Sequence, residues 1–191
     1  LVVAPAIEGK ALIRFGKRKK RCLFVNHNLK NPKLFSGFVF RTVRGGFLRQ
    51  KAPDFIPGPE YFKNLPSVFN KQQLEDLILA WALAWSTHMN GVALVRDGTL
   101  LACDGQPSSV DAIQSCLTRM NHAGHRKGPL VFAANAFLPF KDSAEILVKN
   151  EAILGILPSG GLREKEVKKI FDENRTFLVT IPAEYRGFSH H

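Results

Sequence analysis

Chemistry in this chain is most concentrated between His88 and Ala112. A single asparagine, Asn90, stands before two short apolar runs, Val92 to Val95 and Leu100 to Cys103, with Asp97-Gly98 between them. Asp-Gly between apolar runs is a strong hairpin signal, because both turn positions tolerate positive φ. The second run feeds the polar loop Asp104 to Ser109 and then a helix, for which Ser108 and Asp111 have capping-box spacing. A hairpin that delivers a polar loop onto a helix N-terminus presents backbone N–H groups and the positive end of the helix dipole, which favour an anion. The plain alternative is an ordinary hairpin–helix unit.

Other candidate groups point less sharply. The run Lys17-Arg18-Lys19-Lys20-Arg21 carries much of a net charge of +11, from 27 Lys and Arg against 16 Asp and Glu. It reads as attraction for phosphates or polycarboxylates, or more simply as a solvated helix end with cations at its favourable terminus. Nucleic acid is disfavoured as a partner, since the aromatics sit in separate apolar runs and no nucleic-acid motif is present. His122 and His125 flank Gly124 without a third ligand in view, so an exposed helix end is the better reading than a metal pair. Cys22, Cys103 and Cys116 are odd in number and widely spaced, with no Cys-x-x-Cys, so neither a zinc site nor a disulfide framework is indicated. That usage fits a reducing, cytoplasmic compartment.

The elements that must position these residues follow from periodicity. Leu1 to Ala4 and Cys22 to Val25 read as short strands around a helix from Glu8 to Lys17, and Phe35 to Val43 with Phe47 to Gln50 as a strand–turn–strand about Gly45-Gly46. Four prolines between Ala52 and Pro66 mark a connector and a candidate boundary. Asn70 and Gln73 open an apolar helix to about Ser86, with Trp81 and Trp85 on one face as core residues. Beyond the hairpin and its helix come two further turns of one pattern: strand Leu130 to Ala133, loop Asn135 to Phe140 and helix Asp142 to Asn150; then strand Ile153 to Leu157, loop Pro158 to Gly161 and helix Arg163 to Glu173. Phe177 to Ile181 is a last strand. Strands alternating with helices predict an α/β fold of three layers, α/β/α, with a sheet that is parallel apart from the early hairpin. Ligands in such sheets sit beyond the carboxyl ends of the strands, so the loops at Asp104 to Ser109, Asn135 to Asp142 and Pro158 to Gly161 are expected to share a crevice. At 45% apolar content the chain suits a globular protein of one or two domains, and no apolar run approaches the roughly 18 residues of a membrane span. The chain starts directly in a strand-like run without Met and is read as part of a longer polypeptide.

Asn90, the Asp-Gly-Gln loop, Asn135-Ala136-Phe137-Leu138-Pro139-Phe140-Lys141-Asp142 and Pro158-Ser159-Gly160-Gly161 occur in an order that resembles a known family. It is the bifunctional purine-biosynthesis family that joins aminoimidazole carboxamide ribonucleotide (AICAR) formyltransferase to inosinate cyclohydrolase. The family motifs are close to Lys-Ser-Asn, Gly-Gln-x-Ser-Arg, Ser-Asp-Ala-Phe-Phe-Pro-Phe-Arg-Asp and Pro-x-Gly-Ser, with a terminus near Arg-x-Phe-x-His. Val2-Val3-Ala4-Pro5 and Gly45-Gly46-Phe47-Leu48-Arg49-Gln50 resemble earlier signatures, so the likeness covers nearly the whole chain.

The resemblance implies residues 1–66 as the end of a first transformylase lobe with its connector, and 67–191 as a second, cytidine deaminase-like lobe. It implies formyl transfer from 10-formyltetrahydrofolate to the AICAR amine, without a metal, in a homodimer. Asn90, Phe137 and Arg186 would hold AICAR, with Ser109 standing at the family's arginine. Val110, Asp142, Gly161 and Leu162 would line the folate, with Gly161 opening a helix. Asn90 and His190 would assist the chemistry, His190 by moving a proton near neutral pH. Three departures stand out: Ser109 for arginine, Asn135 for the first aspartate, and Trp85 for a lysine. The family's Lys-His pair belongs to the first lobe and does not occur here, so the base would come from that missing lobe. A non-catalytic nucleotide- or folate-binding relative is the alternative.

Overall fold

The structure, a computed structural model, describes residues 1–17, 22–31, 37–51 and 55–186, the side chains of Gln50 and Lys51 excepted. Most of the basic run, residues 18–21, and the candidate His190 lie outside the described residues. Contacts within the chain divide it into two units, Leu1–Asp54 and Phe55–His191. From Phe55 onward, the proline-rich segment therefore belongs physically with the second unit.

In the first unit, β1 (Val2–Ala4) and β2 (Leu23–Val25) pair in parallel, joined by the helix α1 (Gly9–Gly16). A parallel pair needs such a crossover. No residue of α1 is buried. β3 (Phe38–Val43) and β4 (Gly46–Lys51) form an antiparallel hairpin about Gly45, whose φ of +86° is a conformation that favours glycine.

The second unit holds the core. α2 (Lys71–Trp85) starts at the expected place: Asn70 Oδ1 accepts from Gln73 N–H and Gln73 Oε1 accepts from Asn70 N–H, both at 2.9 Å. The hairpin of β5 (Asn90–Arg96) and β6 (Thr99–Gln106) turns at Asp97 and Gly98, with φ of +50° and +70°. Both strands run further than their apolar cores, because backbone pairing continues through polar residues out to Asn90↔Gln106. Then follow α3 (Ser109–His122), β7 (Leu130–Ala134), α4 (Lys141–Lys149), β8 (Ala152–Pro158), α5 (Glu164–Glu173) and β9 (Phe177–Ile181).

The five strands lie in the order β6-β5-β7-β8-β9. β5 pairs antiparallel with both neighbours, while β7-β8 and β8-β9 are parallel. The sheet is thus mixed, with β5 alone reversed. Alternation along the strands builds two cores. Ala93, Val95, Val131, Ala133, Leu154 and Ile156 face α2, where Leu77, Ala80, Trp81 and Ala84 are buried. Val92, Leu94, Phe132 and Ala134 face α3, α4 and α5, against Ile113, Cys116, Leu147 and Phe171. The unit is a three-layer α/β/α sandwich. Among the described residues no helix is long and apolar enough to cross a membrane.

Candidate functional site

Strand direction gathers the candidate loops. Because β5 is reversed, its first residue, Asn90, pairs with the last residue of β6, and Val92 pairs with the last residue of β7. Pro158 and Ile181, which end β8 and β9, pair with each other. The segments before β5 and after β6, β7, β8 and β9 therefore open along one sheet edge, the carboxyl edge where ligands of α/β sheets sit.

On one side of that edge, Asn90 Nδ2 donates to Pro107 O at 2.7 Å and to Gln106 O at 3.2 Å. Its amide hydrogens are committed to the loop after β6, so what it offers a ligand is a carbonyl oxygen, an acceptor for an N–H donor. Ser109, the first residue of α3, is only 6% exposed, and its hydroxyl is 3.1 Å from that of Ser143 in α4. It ties two helix N-termini together rather than presenting a charge. Val110 is half-buried beside it, and Asp142 is exposed in the first turn of α4, next to Ser143. The N-cap of α3 is Ser108, whose hydroxyl accepts from Asp111 N–H at 3.4 Å.

On the other side, Phe137, Gly161 and Arg186 converge. A methyl group on Gly161 would stand 3.0 Å from Phe137 Cδ2, so the ring packs closely on the backbone there. The Arg186 guanidinium carbon lies 5.7 Å from the Phe137 ring centroid. Gly161 does not itself open the helix: α5 begins three residues later, at Glu164, whose N–H donates to Gly161 O at 3.1 Å. The reason is local. Gly160 adopts φ of +100°, and its N–H donates to Glu164 Oε2 at 2.8 Å, so a short turn intervenes. The hydrogen bond from Lys168, joined by Gly160 N–H, holds the Glu164 carboxyl below the usual carboxylate range against its partial burial. Beside this turn is an open hollow of about 650 Å³ lined by Gly161, Leu162, Arg163, Glu164, Lys165, Glu166 and Lys168. Leu162 is fully exposed, and Arg163 sits 5.9 Å from the ring of the exposed Phe140.

Asn135, which opens the loop after β7, joins the two sides. It follows β7, is 1% exposed and accepts from Gly91 N–H through Oδ1 at 2.9 Å. Its Nδ2 donates to Met89 O at 2.9 Å and to Thr87 O at 3.2 Å. It thus fixes the backbone on which Asn90 sits, including Met89 at φ +63°, while lying two residues before Phe137. Gly91 leaves the room this needs: a Cβ there would stand 2.5 Å from Ala84 O and 2.8 Å from Asn135 Nδ2.

The remaining candidates are structural. His122 is exposed in the last turn of α3, and among the described residues no cluster of three or more His, Cys, Asp or Glu is placed to hold a metal. The cysteines are free, and burial pushes the Cys116 thiol up to about 12, which leaves it inert as a nucleophile. At the opposite sheet edge a cavity of about 130 Å³ beside Asp76, Arg96 and Pro129 is small, and the side chains of Asp76 and Arg96 are engaged by backbone.

Comparison with known proteins identifies the family. The AICARFT/IMPCHase bienzyme family profile matches residues 1–119. The bifunctional purine biosynthesis protein PurH of Cereibacter sphaeroides is 30% identical over 202 residues, spanning 100% of this chain and 37% of that protein. The PurH proteins of Dictyostelium discoideum and Aquifex aeolicus are 28% and 27% identical, over 93% and 100% of this chain and 35% and 36% of theirs. The chain thus spans little more than a third of the length of these relatives. With the profile running from the first unit through the hairpin to α3, and the relatives aligned along the site loops, the chain belongs to the AICARFT/IMPCHase bienzyme family.

Proposed function

We propose that this chain supplies the nucleotide- and folate-binding half of an AICAR formyltransferase in purine biosynthesis. The observation that carries the reading is the convergence of Phe137, Gly161 and Arg186 on the sheet edge where Asn90 is held. The Asn90 carbonyl oxygen accepts from the AICAR carboxamide, the Phe137 ring packs on the ligand, and Arg186 takes the phosphate through its planar fork of donors. The folate, as 10-formyltetrahydrofolate, lies along Val110, Asp142, Gly161 and Leu162, the last two of which line the open hollow at the start of α5. In the reaction the AICAR amine attacks the formyl carbon, the bond from that carbon to folate N10 breaks, and the amine proton leaves to a base while N10 gains one. Holding both substrates together converts this into an effectively intramolecular step.

The base comes from another part of the polypeptide, the first lobe with its Lys-His pair, and His190 assists. The first unit supports such a partner: among the described residues it holds, besides the β3–β4 hairpin, a two-stranded parallel pair and α1 with Val3, Phe24, Leu12 and Ile13 exposed. Parallel sheets are normally covered on both faces. The second unit is then a cytidine deaminase-like lobe, and the enzyme a cytoplasmic homodimer.

Titration of AICAR and an unreactive folate analogue into the intact protein, followed by an assay of formyl transfer, tests the proposal. Saturable binding of both ligands with turnover supports it. Binding without turnover would return the chain to a binding role, and no binding of either ligand ends the proposal.

A further inference from the structure

The last described turn of the chain carries Arg186, and aromatic packing holds that turn. It is a single 3₁₀ turn, Ala183–Tyr185, closed by Tyr185 N–H to Pro182 O at 3.1 Å and Arg186 N–H to Ala183 O at 3.3 Å, with Arg186 Nε also donating to Ala183 O at 2.9 Å. Such short turns hold poorly on their own. Here Tyr185 lies flat on Phe55, ring centroids 3.7 Å and planes 12° apart. Phe55 is in turn fixed by three contacts from two residues. Tyr61 meets its ring edge-on at 5.6 Å, Trp81 meets it edge-on at 6.3 Å, and Trp81 Nε1–H donates to Phe55 O at 3.0 Å. Trp81 is 1% exposed in the middle of α2, so Phe55 is a platform built on the core. The residue after Tyr185 is the one whose guanidinium reaches Phe137.

We infer that Tyr185 is a positioning residue for the nucleotide phosphate: by stacking on Phe55 it fixes the turn that aims Arg186 at the Phe137–Gly161 side of the cleft. The inference rests on the reading of Arg186 as the phosphate ligand. The flat ring does the work and the phenolic hydroxyl is not required, so Tyr185→Phe retains the function. Without the stack, the turn must be ordered when the nucleotide binds, and that ordering weakens affinity. The effect falls on the phosphate alone, because Asn90 and Phe137 are held by other elements.

The test is calorimetry on the intact protein with AICAR and with its dephosphorylated riboside. Wild type is expected to bind AICAR more tightly than the riboside. Tyr185→Ala is expected to weaken AICAR about tenfold, from loss of preorganisation, with riboside affinity unchanged, and Tyr185→Phe to restore the wild-type value. Tyr185→Leu, which keeps apolar bulk without a flat face, gives a second measurement should the alanine variant fold poorly, and is expected to show the same selective loss. AICAR affinity unchanged in both variants, or AICAR and riboside weakened equally, overturns the inference while leaving Arg186 in place. A wild type that does not distinguish AICAR from the riboside overturns the reading of Arg186 itself, and the inference with it.

Discussion

Asn135 makes four hydrogen bonds to one short stretch of backbone, three through its side chain and one through its own N–H to Gly91 O at 3.0 Å. An amide can do this because it accepts and donates at once. Asn135→Asp keeps the bond from Gly91 N–H but turns an acceptor toward Thr87 O and Met89 O. The expected cost is about 1–3 kcal/mol of stability at neutral pH, the penalty of unmade buried bonds. The ionised form is disfavoured in the fold, so the new carboxyl has a raised folded pKa. The penalty is smallest at low pH, where one carboxyl O–H replaces one of the two lost donors, and grows as pH rises from the unfolded value towards the raised folded one, which denaturant melts across pH read directly. Arg186→Ala is expected to weaken AICAR binding by about 1.5–3 kcal/mol, the worth of hydrogen bonds to a charged group, with folate-analogue affinity unchanged; calorimetry showing equal AICAR affinity removes Arg186 from the site. Residue types announced these positions unevenly. Phe137 and Arg186 were legible through motif likeness, whereas the role of Asn135 depends on partners 44 to 48 residues away, which no local pattern shows.

At the scale of elements, α2 carries its least expected residue inside. Asp76 is 2% exposed and accepts from Asp97 N–H at 2.8 Å, Gly98 N–H at 2.7 Å and Gln72 Nε2 at 2.9 Å. It thereby holds the β5–β6 turn to the helix, at the edge away from the site. Asp76→Ala strands two backbone donors and is expected to cost about 2–4 kcal/mol; thermal unfolding within about 0.5 kcal/mol of wild type, as for an ordinary surface change, would refute the clamp. A second latch joins β6 to α3. Burial alone would raise the Asp104 carboxyl, but hydrogen bonds from Ser115, Gln106 and the Gly105 backbone, with Arg119 nearby, hold it below the ordinary carboxylate range. Its contribution is therefore present at neutral pH and lost as pH falls through the depressed value. Ser115→Ala is expected to unfold at higher pH on acid titration than wild type, and an unchanged acid midpoint would show that Ser115 contributes nothing. Caps and the Asp-Gly turn were readable in advance because their chemistry is local. The antiparallel β5–β7 pairing and the packing of Phe55, Tyr61 and Leu65 on the α2 side are long-range choices made by the core.

Across the whole molecule, the second unit is a complete sandwich with two cores, while among the described residues of the first unit α1 buries nothing. The three-layer architecture was legible because strand and helix periods alternate cleanly after the proline-rich segment. The contact boundary between Asp54 and Phe55 falls within the proline-rich segment, since prolines mark a break in regular structure and say nothing of which side the connector packs on. The central claim is that one sheet edge receives a ribonucleotide beside a pterin. A crystal structure of the intact protein with AICAR and an unreactive folate analogue bound measures it most directly. The account predicts the carboxamide at Asn90, the phosphate at Arg186 and the pterin along Val110, Asp142, Gly161 and Leu162. Either ligand seated away from that edge, as in the cavity beside Asp76 and Pro129, would contradict it.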